Sequence, residues 1–325
     1  VRLEVAVERW PIAGRFTIAR GSRTEAVVVV ATIRAGEHIG RGECVPYARY
    51  GETAETVAAA IDAQWQLVEH GLDRHVLQQQ MPAGAARNAL DCALWDLEAK
   101  RSGRRAWELA GIAAPQAVTT AYTLSLGTPD EMRTAARAAS ARPLLKIKLG
   151  GAGDAARIRA VREGAPTATL VVDANEAWRA DTVRENLAAC EAAGVALIEQ
   201  PFPAGDDAAL DTCNTTIPIC ADESFHDCRS FEAIAGRYQA INIKLDKTGG
   251  LTEALAVLER AHAHGLQVMV GCMLGTSLAM APALLLAGQA DVVDLDGPLL
   301  LAKDREPGLR FDGSRVSPPE PALWG

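Results

Sequence analysis

Across the second half of the chain, a polar side chain closes a short apolar run about every 25 residues. Lys146 and Lys148 lie at the end of 144–149, Asp173 and Asn175 follow 169–172, and Glu199 follows 196–198. Asp222 follows 218–221, Lys244 follows 240–243, Cys272 follows 267–271, and Asp294 and Asp296 follow 290–293. From Lys148 the steps are 25, 26, 23, 22, 28 and 24 residues. A strand with its crossover helix in a parallel barrel needs a length of that order, and barrel enzymes keep their chemistry at the carboxyl ends of the strands. The ladder therefore predicts a fold and the place of a site.

With 325 residues there is room for a barrel of about 250 residues and a smaller domain. Residues 1–34 read as strands, with Val27–Ile33 as a β-branched run, and 36–52 as a loop rich in Gly, Pro and Tyr. Residues 53–110 read as helical. Thr53 is expected to cap a helix without a capping box, because Thr56 and not Glu stands three residues on. In Ala85–Arg101, residues Ala86, Leu90, Leu94 and Leu97 share a face and Gly103 is placed to end the helix.

Beyond a linker at Ala113–Pro115, eight strands are expected, the first at Thr119–Ser125, with helices that include 130–141, 154–163, 181–193, 229–235 and 252–264. Residues 297–325 hold five prolines and read as loop and short strand. The predicted class is α/β: a (β/α)7β TIM-like barrel with an α+β capping domain completed by the C-terminal tail. The expected boundaries are 1–115 for the capping domain, 116–298 for the barrel, and 299–325 for the tail returning to the cap.

A net charge of −8 argues against a general nucleic-acid or anionic-membrane binder. No apolar run reaches the ~18 residues that span a bilayer, and Val1–Trp10 has no basic-then-apolar leader pattern. Seven scattered cysteines without a C-x-x-C pair read as free thiols, and the expected location is the cytoplasm. Cys213, Cys220 and Cys228 lack zinc-ligand spacing, and Gly150–Gly153 lacks the spacing of a dinucleotide loop.

Side chains alternate faces along a strand, so acids beside apolar runs belong at the open end of the barrel. Asp173, Glu199 and Asp222 fall on the third, fourth and fifth strands. Three converging carboxylates without His or Cys suit a hard cation, and Mg²⁺ is expected there. Asn175 shares the inward face with Asp173 and would orient a ligand from behind. Glu223 is expected to face away in a structural role.

Lys146 and Lys148 both point into the mouth, and Lys244 lies on the sixth strand, across the ring from the second. Two amines on opposite faces of one carbon suit inversion, one removing a proton and the other returning one. The carbon acid would lie α to a carboxylate, with the cation stabilising the enediolate. A base needs a lowered pKa, expected from the cation and from Lys146 beside Lys148. Lys146 itself is expected to hold the substrate carboxylate. Lys247 has the opposite parity from Lys244 and is expected at the surface or in a loop.

The segments K-I-K-L-G (146–150), V-V-D-A-N (171–175), I-E-Q-P (198–201), A-D-E-S (221–224) and I-N-I-K-L-D-K-T-G-G (241–250) resemble the enolase superfamily. So does A-A-R-N-A-L-D-C-A-L-W-D-L (85–97) in the capping region. The branch resembled is the muconate-lactonizing type, and D-L-D-G-P (294–298) is similar to the D-x-D of its dipeptide epimerases. The resemblance implies Mg²⁺-dependent epimerisation at the C-terminal residue of a dipeptide, Ala-Glu foremost, and a role in murein peptide recycling. Asp296, with Asp294 beside it, would take the free ammonium of the dipeptide, and Thr123 would touch the substrate. Arg20 or Arg23, on a loop over the mouth, would pair with a glutamate side chain. No nucleic-acid or membrane partner is expected, and a homo-oligomer is compatible with this reading. The alternative is a cycloisomerase or dehydratase of the same branch, using one lysine as base and the other to stabilise charge.

Overall fold

The computed structural model describes residues 1–325. Strands β1 (Arg2–Ile18), β2 (Gly21–Ala35) and β3 (His38–Cys44) form an antiparallel sheet. The helix Ala85–Ser102 crosses it closely. A Cβ on Gly40 would stand 2.2 Å from the carbonyl of Ala93, and one on Gly42 would stand 2.1 Å from that of Ala89. Only glycine lets the two backbones approach this far. Gly103 ends the helix in the left-handed region (φ 68°), as expected. Thr53 does form a capping box: Thr56 Oγ1 accepts from the Thr53 N–H, the service expected only of Glu.

The second unit is a curled parallel sheet. After β4 (Val118–Thr119), its strands are β5 (Tyr122–Leu124), β6 (Leu144–Lys148), β7 (Thr169–Asp173), β8 (Val195–Glu199), β9 (Ile219–Ala221), β10 (Ala240–Ile243), β11 (Gln267–Val270) and β12 (Val292–Val293). They pair in sequence order. Ala121 N–H donates to the Val293 carbonyl at 2.8 Å, and Leu295 N–H to Thr120 Oγ1 at 2.8 Å, which closes the ring. The expected first strand, 119–125, is therefore divided: β4 leaves the barrel to pair with the tail. Helices Pro129–Ala138, Asp154–Gly164, Val183–Ala192, Phe231–Ile234, Leu251–Ala263 and Ser277–Ala287 pack outside, and a 3-10 turn, Asp207–Thr212, stands between β8 and β9. Val171, Leu197, Cys220, Ala240 and Met269 fill the axis as a buried apolar layer. This layer is the floor above which the polar rungs project.

Two connections set the cap over the mouth. The far end of the β1–β2 hairpin, beyond a bulge between Pro11 and Phe16, docks after β5 through Leu126 N–H to the Thr17 carbonyl at 2.9 Å. This carries the turn at Arg20 across the barrel. The tail forms β13 (Phe311–Asp312) and β14 (Arg315–Val316), and β14 pairs with β4. It ends on the Ala85–Ser102 helix, where Trp324 Nε1 donates to the Cys92 carbonyl and Gly325 N–H to Asp96. No helix is long and apolar enough to cross a membrane.

Asp246, just past β10, joins barrel to cap. Its Oδ1 accepts from Val45 N–H at 3.0 Å and from Asn88 Nδ2 at 2.8 Å. Burial pushes its pKa up to about 7; the two bonds oppose this, while Glu52 and Glu43 add to it. Below about pH 4 the carboxyl is protonated in the folded and the unfolded chain alike. As pH rises towards 7 the unfolded chain releases the proton while the fold retains it, so stability falls through that window. Asp246→Asn cannot ionise. It is expected to remove this slope, and so to gain on the order of 3 kcal/mol on the native chain between pH 4 and 7. Urea melts at several pH values measure it; parallel curves for the two proteins would contradict the assignment.

Candidate active site

A cavity of about 450 Å³ opens at the carboxyl ends of the barrel strands, under the β1–β2 hairpin. Lys148 from β6 and Lys244 after β10 both line it. Their strands are four apart in a ring of eight, so the two amines come from opposite sides. Between them, Asp173 and Glu199 end β7 and β8 at the same register level, and Asp222 follows β9. All three acids are buried.

Each carboxylate is divided between the scaffold and the site. Asp173 Oδ1 accepts from Asn175 N–H at 2.9 Å, Glu199 Oε1 from Asn242 Nδ2 at 2.8 Å, and Asp222 Oδ1 from Lys247 Nζ at 2.6 Å. The second oxygens face the site lysines. Asp173 Oδ2 lies 2.6 Å from Lys148 Nζ, Asp222 Oδ2 lies 2.6 Å from Lys244 Nζ, and Glu199 Oε2 lies 2.6 Å from Lys146 Nζ. The last contact is misaligned, so Glu199 Oε2 is buried without a hydrogen bond, as is Asn175 Oδ1. Three carboxylate oxygens that accept charge and offer no soft donor fit a hard divalent cation. Asp173, Glu199 and Asp222 are the residues that would hold it.

The electrostatics follow from this pairing. Burial works against the Lys146 ammonium, yet Asp294, Glu199 and Asp173 hold its pKa well above the ordinary lysine value. Burial likewise opposes Lys244, and Asp222 and Glu199 overcome it. A lysine pKa lowered by neighbouring charge, expected for a base, is thus not what the carboxylates alone produce at Lys244. A cation on the same oxygens would reverse the sign of that influence.

Lys146 is set apart from Lys148 by depth. It lies one layer deeper than Lys148, is 1% exposed, and does not line the cavity. Its ammonium contacts Asp294 at 2.8 Å, Glu199 at 2.6 Å and Asp173 at 3.4 Å. In this arrangement it holds the three carboxylates together. It also places Asp294, which follows β12, one ammonium away from Asp173 and Glu199.

Two further expectations are corrected. Lys247 is buried, not at the surface: Nζ donates to Asp222 Oδ1, to the Asp222 carbonyl and to the Asn242 carbonyl. Glu223 lines the cavity and accepts from Arg20 Nη2 at 2.6 Å. The parity rule fails at both because the strands end first. β9 stops at Ala221, and Lys247 sits in the helical turn Leu245–Thr248. Asn242 was not singled out by sequence; its place on an inward face of β10 was the available signal.

On the far side, Asp294, Asp296 and Thr123 line the cavity. Asp296 Oδ2 accepts from Thr123 N–H at 2.6 Å, while Asp294 Oδ1 is buried without a partner. Burial, reinforced by Asp294, pushes the Asp296 pKa up to about 7. Two buried acids served by one lysine favour a cationic ligand group. From the cap, Arg20 is committed to Glu223, Glu176, Tyr47 and the Asn175 carbonyl. Arg23 lines the cavity, has no ion pair, and lies over the Tyr47 ring at 5.8 Å. Cys272 and Met273 complete the wall beside Asp294 and Asp296.

Residues 131–320 match the family model "Enolase C-terminal domain-like", and residues 1–111 match "Mandelate racemase / muconate lactonizing enzyme, N-terminal domain". The L-Ala-D/L-Glu epimerase of Escherichia coli (strain K12) is 50% identical over 311 residues, covering 95% of this chain and 97% of that protein. An N-acetyl-D-glutamate racemase of Pseudoalteromonas is 45% identical, covering 92% and 95%. An enolase family member from Agrobacterium tumefaciens with homology to dipeptide epimerases, solved with sodium and L-Ala-L-Glu, superposes with a TM-score of 0.98 at 54% identity, over 100% and 99% of the chains. A dipeptide epimerase from Cytophaga hutchinsonii, solved with Mg and D-Ala-L-Val, gives a TM-score of 0.89 at 27% identity, over 98% and 93%.

Proposed function

Since the chain belongs to the enolase superfamily, in its mandelate racemase/muconate lactonizing enzyme group, we propose that it is a dipeptide epimerase inverting the α-carbon of the C-terminal residue. One observation carries the reading: amines from opposite sides of the barrel, Lys148 and Lys244, line a cavity whose far wall bears Asp294 and Asp296. Lys148 and Lys244 exchange the α-proton from opposite faces. Mg²⁺ held by Asp173, Glu199 and Asp222 would draw charge from the substrate carboxylate and acidify the α-C–H bond. Asp296, kept in place by Thr123 and backed by Asp294, takes the free α-ammonium. Arg23, the guanidinium not already paired, takes a glutamate side-chain carboxylate. Lys146 keeps the acids assembled, and Asn175 anchors Asp173.

Ala-Glu is the preferred substrate under this reading, which places the enzyme in the recycling of murein peptides. The seven free thiols suit the cytoplasm.

The test is incubation of a dipeptide panel and N-acetylglutamate in D₂O with Mg²⁺, followed by mass spectrometry. L-Ala-L-Glu and L-Ala-D-Glu should both gain α-deuterium at the second residue. Absence of exchange in every dipeptide would refute the reading, and net elimination or ring formation would select the lyase or cycloisomerase. Asp296→Asn sharpens the result. Removing one partner of a buried charge pair costs about 2 kcal/mol or more, so dipeptide kcat/KM should fall about 30-fold or more. Any turnover of N-acetylglutamate, which has no ammonium, should be spared. Equal losses on both substrates would show that Asp296 does not read that charge.

A further inference from the structure

The divided carboxylates raise a question of cause. A carboxylate at a strand end can rotate and offer either oxygen, or both, to the ammoniums around it. Asp173 is restrained by the backbone N–H of Asn175. Glu199 and Asp222 have no such backbone partner; they are restrained by Asn242 and Lys247.

Lys247 has three N–H bonds and three acceptors: Asp222 Oδ1 at 2.6 Å, the Asp222 carbonyl at 2.6 Å, and the Asn242 carbonyl at 3.0 Å. It is 1% exposed and lies outside the cavity lining, so it has no donor left for a substrate. It ties the end of β9 to β10. Asn242 continues the tie sideways, giving Nδ2 to Glu199 Oε1. Asp222, Lys247, Asn242 and Glu199 thus form one continuous strut. Room for it comes from the next strand. A Cβ on Gly271, at the end of β11, would stand 2.5 Å from Asn242 Oδ1.

We propose that Lys247 and Asn242 are positioning residues that dedicate a single oxygen of Asp222 and of Glu199 to the catalytic cation. The strut occupies Asp222 Oδ1 and Glu199 Oε1 and leaves Oδ2 and Oε2 turned inward. It restricts each acid to one rotamer before the cation arrives, so less side-chain freedom is lost on binding. Gly271 is the third member, because any side chain there would displace the Asn242 amide. The inference rests on the assignment of the acidic trio as the cation site.

Mn²⁺ titration of the full-length chain, followed by electron paramagnetic resonance, tests it without reference to turnover. Lys247→Met and Asn242→Leu keep the side-chain volume and remove the donors. Each is expected to weaken Mn²⁺ binding about 10- to 100-fold, the usual range for loss of a group behind a metal ligand. Gly271→Ala should weaken binding when Asn242 is present and add nothing in an Asn242→Ala background, where the clash is gone. A purely structural role would lower the melting temperature in chelator and leave the Mn²⁺ affinity of the folded variants unchanged. Unchanged affinity in folded Lys247→Met and Asn242→Leu, alongside a loss in Asp222→Asn, overturns the positioning role and keeps the cation site. Unchanged affinity in Asp222→Asn overturns the cation site itself. Should Lys247→Met not fold, Asn242→Leu and the Gly271→Ala pair decide.

Discussion

Lys148→Ala and Lys244→Ala are each expected to lower epimerisation at least ~10³-fold, and to do so with opposite stereochemical signatures. The two amines reach the cavity from β6 and from the end of β10, on opposite sides of the ring. A planar carbanionic intermediate between them receives its proton from one face or the other. With one lysine removed, inversion has no second partner. The surviving lysine can still remove and return a proton on its own face. Each variant should therefore wash deuterium into at most one diastereomer of a dipeptide, and the two variants should choose different ones. Measurement of α-deuterium in each diastereomer separately, by mass spectrometry or proton NMR, resolves this. A single variant that exchanges both diastereomers at the native rate would end the two-base mechanism. Each lysine also contacts a carboxylate of the trio, Asp173 or Asp222. Removing an ammonium relieves competition for that oxygen, so cation affinity should hold or rise. Lost turnover with retained Mn²⁺ binding then places the loss in proton transfer.

The positions of the site acids were legible because a barrel repeats its unit. Asp173, Glu199 and Asp222 each close an apolar run at similar spacing, and strand pairing in sequence order brings such positions to one rim. Parity along a strand then pointed Lys146 and Lys148 to the same side. Parity carries no height, however. Two residues along β6 move a side chain by about 7 Å, which is why Lys148 meets the cavity and Lys146 lies below it. Parity also ends with the strand. Glu223 and Lys247 lie just beyond β9 and β10, where turn geometry re-aims the side chain. The pairing of Arg20 with Glu223 spans the cap and the barrel, and no local pattern carries it. It left Arg23, three residues away, as the free guanidinium.

Stripping divalent cations with a chelator is expected to reduce turnover at least ~10³-fold, with recovery on adding Mg²⁺. The reasoning starts from charge. Asp173, Glu199 and Asp222 are buried, and the ammoniums of Lys146, Lys148 and Lys244 stand 2.6 Å from their inward oxygens. An amine bound to a carboxylate as an ammonium cannot accept a proton, so Lys148 and Lys244 must be released from these contacts before either acts as a base. A divalent cation held on the same oxygens would compete for them with twice the charge of each ammonium, which would leave Lys148 and Lys244 free to face the substrate. Two readouts should move together. Turnover should return with Mg²⁺, and the melting temperature should rise with Mg²⁺ concentration, because a ligand at 100 times its Kd stabilises the folded state by about 2.7 kcal/mol. Lys148→Ala should show a thermal response to Mg²⁺ at least as large as the native chain, since one competitor is gone. Full activity in chelator, with metal content verified by elemental analysis, would mean that the lysines are released by the substrate alone and that the acidic trio serves only to pair with them.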